Sequence, residues 1–306
     1  MNPRLRALLF TALTLSLASC EMGPADYEGE EGIDMRLKVM TYNLRIASEE
    51  DGANNWPYRK AAAKKGIEDN DIDIVGLQEA RPAQFTDLQG LLTEYTGIGT
   101  GGGNDDGKEC PIFYKTGRFD CVDSGLFWLS FTPEEESKSW DSTYHRTAAW
   151  VILKDKESGG EVFFINTHLD HQGAVARFWG MHLILKEIQK RQQSGYKVVL
   201  TGDFNAVRTA DEVAQIFSYT DTVSGKRLDY TRDTAETKTR ADGTNGEPGG
   251  TSHDFGAIAP ADRKCIDYIF VSGGTRVLSY EVLPDKDPES NGYYSDHNPV
   301  QAEVWF

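Results

Sequence analysis

Polar side chains that can accept, donate or ligate recur where apolar, β-branched runs of this chain stop. Asn43 closes the run 37–42, and Glu79 closes 72–78. His168 and Asp170 follow 162–167, Asp203 and Asn205 follow 196–202, and Asp296 with His297 come after the run that carries Asp267. A single ending of this kind suits a turn in which Asp or Asn bonds nearby backbone. Repeated endings rich in carboxylate, amide and imidazole suit one shared site for a hard divalent cation, which wants oxygen ligands. In Gly202-Asp203-Phe204-Asn205, the period of an extended backbone would put both polar groups on one side, at the mouth of a sheet. A carboxylate that only accepts, beside an amide that donates and accepts, is equipment for holding a water or a metal.

The elements that must position these groups are strands at 37–43, 72–79, 148–153, 162–168, 196–200, 265–271 and 300–306. Residues 111–122 read as strand, turn and strand around Lys115-Thr116-Gly117-Arg118, with a further apolar segment at 125–130. Helices are expected over 56–65, where Pro57 suits a first turn, over 85–95, and over 174–193. The Gly-rich stretch 97–107 is expected to be a mobile surface loop. Its Gly97–Gly102 spacing fits G-x-G-x-x-G, but no helical pattern follows. Its P-loop likeness fails at Glu109, where Ser or Thr is required. Asp69–Asp73 begins like a calcium loop but has Ile74 where the turn needs Gly. Residues 221–262, polar and rich in Gly and Thr, are expected to be irregular. With no linker or repeat between 36 and 306, the pattern predicts one α+β sandwich domain.

The 306-residue chain carries a formal charge of −16, and residues 36–306 alone carry 30 basic and 42 acidic side chains, net −12. That balance disfavours non-specific attraction to polyanions. Residues 1–20 read as a targeting segment: Arg4 and Arg6, a short apolar run, then Leu17-Ala18-Ser19-Cys20. The ending resembles a bacterial lipoprotein signal with Cys20 as the lipidated residue; an ordinary secretory peptide is the alternative. Residues 21–35, acidic and without a basic side chain, are expected to be a flexible spacer. Cys110 and Cys121 flank the expected hairpin, so a bridge is open to them, but register would decide it.

In order, Thr-Tyr-Asn-Leu at 41–44, Leu-Gln-Glu at 77–79, Asn-Thr-His-Leu-Asp at 166–170, Gly-Asp-Phe-Asn at 202–205, Ile-Asp-Tyr-Ile at 266–269 and Ser-Asp-His-Asn-Pro at 295–299 resemble the endonuclease/exonuclease/phosphatase superfamily. Residues 125–130, Trp140-Asp141, Arg146–Trp150 and Asp170-His171 further resemble secreted bacterial and fungal members of undefined substrate. The resemblance implies a four-layer α/β/β/α sandwich, two packed mixed β-sheets flanked by helices. It implies Glu79 as principal Mg²⁺ (or Mn²⁺) ligand with Asn43 beside it, and Asp296 as rim acid or second metal position. Asp203 would orient or deprotonate the attacking water, Asn205 would hold a phosphoryl oxygen, and His297 would donate to the phosphate with Asp267 fixing its tautomer. His168 would make a second phosphate contact, and Arg146, Asp170 and Arg177 are the expected substrate-binding groups. In-line attack on phosphorus needs a cation, an activated water and donors to the equatorial oxygens, which these types supply.

Trp56, Trp128 and Trp150 read as core residues, His182 as a helix-face residue, and His171 and His253 as substrate-loop groups. His168-Leu169-Asp170-His171 is half of a metallo-β-lactamase-type zinc motif, but Asn166 replaces its first His. The expected function is therefore an exported, lipid-anchored, Mg²⁺-dependent phosphoesterase meeting the membrane only through its anchor, with no protein partner predicted. A compact phosphoester fits the charge better than long nucleic acid. The rivals are a secreted Mg²⁺-dependent nuclease and a catalytically silent binder of a phosphorylated glycan or lipid.

Overall fold

A computed structural model describes residues 34–99 and 110–306. The leader with Cys20, the spacer up to residue 33 and most of the 97–107 loop lie outside the described residues. Near the N-terminal side, β1 (Arg36–Asn43) and β2 (Ile74–Gln78) flank α1 (Trp56–Glu68). Then come α2 (Pro82–Leu91), β3 (Tyr95–Ile98), β4 (Ile112–Lys115), β5 (Phe119–Trp128), β6 (Thr147–Asp155) and β7 (Glu161–His168). After α3 (Ala174–Gln193) follow β8 (Lys197–Asp203), α4 (Asp211–Ser218), β9 (Leu228–Tyr230), the single turn α5 (Thr231–Thr234) and β10 (Thr237–Thr239). The chain closes with β11 (Asp267–Ser272), β12 (Arg276–Val282) and β13 (Val300–Trp305). One sheet runs β10-β12-β13-β1-β2-β4-β3 and the other β5-β6-β7-β8-β11-β9. Both are mixed, and they pack face to face with helices outside, as the sandwich expectation had it.

Burial on both faces explains why the central strands read as near-continuous apolar runs. In β1, Leu37 and Val39 join Ile74 in the core between the sheets, while Met40 and Tyr42 meet Ala63, Ile67 and Leu88 of α1 and α2. Met181, Ile184 and Ile188 of α3 complete the inter-sheet cluster's far side. Asn55 caps α1 by accepting from Trp56 N at 2.7 Å, and Pro57 sits in its first turn. Proline also starts α2 at Pro82, three residues before the expected onset, and Tyr95 belongs to β3 instead of that helix.

The expected hairpin at 111–122 does not form. β4 pairs with β2 and β3 in one sheet, whereas β5 pairs with β6 in the other, so Lys115–Arg118 crosses between layers. Alternation identifies strands but not their partners. Arg118 staples the crossing, reaching Asp73 at 2.7 Å and Asp155 at 3.1 Å. Cys110 is buried and Cys121 is exposed, and no bridge joins them. The stretch 221–262 is less irregular than expected, because β9, α5 and β10 lie within it; α4 and β12 also went unread.

The sheets approach closely at Gly76, where a Cβ would come within 2.5 Å of Asn166 Oδ1 and 2.4 Å of Thr201 Oγ1. Asn166 spends its buried amide on this seam. It donates to Leu77 O at 2.7 Å and accepts from Gln78 Nε2 at 2.7 Å and Thr201 Oγ1 at 3.0 Å. These paired buried groups fix the relative position of the layers, while Gln78 Oε1 stays without a partner among the described residues.

Candidate active site

Strand register, set by core packing, delivers the polar ends to one level. The parallel β7–β8 ladder puts His168 beside Asp203, and the antiparallel β8–β11 ladder puts Asp267 opposite Asp203. Because β11 runs the other way, its first residue, not its last, reaches the site. In the facing sheet the parallel β1–β2 ladder brings Asn43 level with Gln78, just before Glu79. A cleft of about 430 Å³ at these ends is lined by Glu79, His168, Asp203, Asn205 and His297, with Arg146 and Tyr144 on another wall. Arg45, Ile46, Arg81 and His171 complete it.

The second coordinate of the site is backbone conformation. Arg45, Glu79 and Asn205 have φ of 56°, 58° and 50°, in the left-handed region that side chains other than Gly enter at a cost. Asn205 therefore does not continue the strand alternation. Its N–H donates to Asp203 Oδ1 at 2.8 Å, turning the chain, and its Nδ2 lies 3.0 Å from Leu169 O and 2.8 Å from His168 Nε2. Both amide hydrogens are thus committed within the protein, against the expectation that Asn205 donates to phosphate. Glu79 accepts from Ile46 N at 3.0 Å and from Asn43 Nδ2 at 3.3 Å.

The acids and imidazoles divide sharply in charge. His297 Nδ1 lies 2.9 Å from Asp267 Oδ2, which also accepts from Thr251 Oγ1 at 2.5 Å. Burial opposes charging His297, but Asp267, Asp203 and Asp296 hold it well above the ordinary histidine range. Burial, reinforced by the charges of Arg146, His297 and His171, drives His168 well below that range. With Nε2 accepting from Asn205, the ring proton of neutral His168 is on Nδ1, a buried atom with no partner among the described residues. Asp203 is raised by burial and by Asp267 across the ladder, with His297 and the Asn43 hydrogen bond opposing. A carboxylate moved upward in this way is suited to taking a proton.

The expected cation ligands fare unequally. Glu79 and Asp296 offer carboxylates; burial raises Asp296, and the charge of Glu79 adds to the effect while His297 opposes it. Repelling, partly buried acids of this kind suit a hard divalent ion. Asn43 is placed otherwise: its oxygen accepts from Arg45 N at 2.9 Å while Nδ2 faces Asp203 and Glu79. It bridges two carboxylates with its nitrogen and has no oxygen turned to a cation. Asp203, Asp267 and His297 also bring one donor atom each within 4.8 Å of one another. Their Nδ1–Oδ2 hydrogen bond and the charged imidazole occupy the atoms a metal would need there. The oxygen donors of Glu79 and Asp296 are the better match.

Arg146 lies where a phosphate contact was expected, 7% exposed, with Nε without a hydrogen-bond partner among the described residues and 3.9 Å from Asp170 Oδ2. Arg177 does not reach the cleft, because its guanidinium pairs with Glu212 at 2.5 Å and donates to Asp170 O. Asp170 is not a substrate group either: it is 2% exposed and accepts from the backbone of Thr143, Tyr144, Gln172 and Gly173. His253 is fully buried and accepts from Gly256 N, which withdraws it from any substrate loop. Residues the sequence did not single out are Arg45, Tyr144 and Thr251. A basic residue two places after Asn43 was the only available sign of Arg45; Tyr144 and Thr251 gave none.

Residues 40–297 match the sequence profile described as the Endonuclease/Exonuclease/phosphatase family. The fold resembles the endonuclease/exonuclease/phosphatase of Bacteroides vulgatus with a TM-score of 0.78 and 35% identity, over 88% of this chain and 98% of that one. It resembles the mannosyl-6-phosphatase of Bacteroides thetaiotaomicron VPI-5482 with a TM-score of 0.76 and 33% identity, over 88% of this chain and 100% of that one. A sequence relative is the CCR4-Not complex 3'-5'-exoribonuclease subunit Ccr4 of Candida glabrata, 28% identical over 196 residues. That match covers 54% of this chain and spans only 22% of the relative's length.

Proposed function

The chain belongs to the endonuclease/exonuclease/phosphatase family, and from that premise we propose that it hydrolyses a compact phosphomonoester, a sugar phosphate first among candidates, with Mg²⁺ or Mn²⁺. That it is a phosphoester hydrolase of the phosphatase/nuclease type follows from the family itself. The observation that carries the finer reading is the convergence of raised Asp203, charged His297 and neutral His168 in one small cleft facing Glu79. Its volume is in the small-molecule range. The likeness to a mannosyl-6-phosphatase, over 88% of this chain, supports a sugar phosphate.

Glu79 and Asp296 would hold the divalent ion, which supplies charge stabilisation at phosphorus when bound. Asp203 orients a water and accepts its proton, its upward shift making it a stronger base than an ordinary carboxylate. Charged His297, its Nδ1 held by Asp267, keeps Nε2–H as a donor for a phosphoryl oxygen. Arg146 supplies a second cation for the anion. Asn205 holds the neutral His168 ring in place.

The nuclease reading is favoured by one observation, the exoribonuclease relative, and opposed by the net charge of −12 over residues 36–306. The test is a Mg²⁺-dependent comparison of initial rates on hexose phosphates, inositol phosphates and plasmid DNA at low and moderate salt. Steeply salt-dependent plasmid nicking would replace the phosphatase reading. We further propose export and lipid anchoring through Cys20. Cys20→Ser should move the protein out of the membrane fraction, and its retention there would reject the anchor.

A further inference from the structure

Tyr144 and His171 stack with ring centroids 5.3 Å apart and planes at 25°, and both line the same cleft as Asp203 and His297. They come from different loops, one ahead of β6 and one after β7. A single buried carboxylate holds both loops. Asp170 Oδ2 accepts from Thr143 N at 2.9 Å and Tyr144 N at 3.1 Å. Its Oδ1 accepts from Gln172 N at 3.0 Å and Gly173 N at 2.8 Å. Arg146 adds its guanidinium 5.5 Å from the Tyr144 ring centroid. Tyr144 is nonetheless 42% exposed, an aromatic surface kept in water beside a strongly polar centre.

A rigid, partly exposed ring pair in a catalytic cleft is a binding surface, since its apolar body gains by covering a ligand's apolar face while its hydroxyl and imidazole keep polar reach. We infer that the Tyr144–His171 stack is the leaving-group subsite and takes the C–H face of a pyranose ring. Arg146, against the same tyrosine, meets the phosphate of that ligand. This inference rests on the sugar-phosphate reading above. Asp170 is then a positioning residue: it never touches the ligand, but it sets the distance between the two rings. A nucleobase could also lie on such a stack; the chain's negative charge and the cleft's small volume favour the sugar.

The test measures kcat and KM on mannose 6-phosphate, glycerol 3-phosphate and a nucleoside 5′-monophosphate, with Mg²⁺, in wild type, Tyr144→Ala, Tyr144→Leu and Tyr144→Phe. The ratio of kcat/KM for the hexose phosphate over the glycerol phosphate should fall about tenfold in the Ala and Leu variants, through KM, and persist in Phe. Because the ratio is taken within one preparation, partial misfolding cannot imitate the result. An unchanged ratio, or equal loss on both substrates, overturns the subsite while leaving the sugar-phosphatase reading intact. A wild type that turns over other phosphoesters but not the hexose phosphate removes that reading, and the subsite with it. A nucleotide preference that Tyr144→Ala abolishes would assign the stack to a base and overturn the sugar.

Discussion

Asn43 Nδ2 donates to Asp203 Oδ2 over 2.9 Å, joining the ends of strands in two different sheets across 160 residues of sequence. That bond favours the charged form of Asp203 and opposes the upward push of burial. Asn43→Ala should therefore raise Asp203 further and move the acid limb of the kcat/KM profile to higher pH. Stability should fall by about 1–3 kcal/mol in urea unfolding, the cost of a buried partner left unanswered. An acid limb that stays in place would mean that Asp203 is not the group reporting there.

His297 and Asp267 act as one unit. Asp267→Asn should cost nearly as much rate as His297→Ala, and the double variant little more than either. The pair also predicts an alkaline weakness. With His297 held above its ordinary value, its ion-paired stabilisation is complete below pH about 6.5 and is lost as pH rises through the raised folded value. Denaturant midpoints of His297→Ala should lack that alkaline decline. Fully additive rate losses would give Asp267 a separate task.

Asp170 should behave as a structural acid. Burial alone would raise it, but the donated N–H groups of Gly173, Tyr144 and Gln172, with Arg146 nearby, hold it at about 2. Its stabilisation is present above the unfolded value of about 3.9 and is lost as pH falls toward the folded one. Asp170→Ala should lower stability by roughly 2–4 kcal/mol, because several buried donors lose their acceptor at once. A variant with unchanged urea midpoint and raised KM alone would restore Asp170 as a substrate group.

Glu79→Gln keeps an acceptor for Ile46 N and removes the charge. The Mg²⁺ concentration for half-maximal rate should rise at least about tenfold, with the fold unharmed because the acid facing Asp296 is neutralised. The same titration curve in wild type and variant would exclude Glu79 from the cation site.

What could be read from the chain was whatever lay inside a short motif at a strand end. Glu79, Asp203, Asp267 and His168 each carry their neighbourhood with them, since the ladder that buries the strand also places the residue at its site end, and His297 is carried by the short motif just ahead of β13. Asn205 was misread because period-2 spacing was extended two residues beyond the end of the strand at Asp203, into a left-handed turn. Asp170 and Arg177 look functional in sequence, and only distant partners, Thr143 with Tyr144 in a loop and Glu212 in α4, reveal them as supports. The Lys115–Arg118 turn misled for a similar reason: a hairpin and a sheet-to-sheet crossing have the same local chemistry, and the difference lies in Asp73 and Asp155.

The last strand in the chain is an interior one. β13 lies between β12 and β1, and His297 stands three residues ahead of Val300, where it begins. Until that strand inserts, β1 lacks one of its two ladders and the His297 loop has no fixed tether opposite Asp267. Closing those contacts joins residues more than 250 positions apart, a slow, entropically demanding event. A chain clipped ahead of β13 should accordingly leave every phosphoester around it intact, because His297 would have no fixed place opposite Asp267.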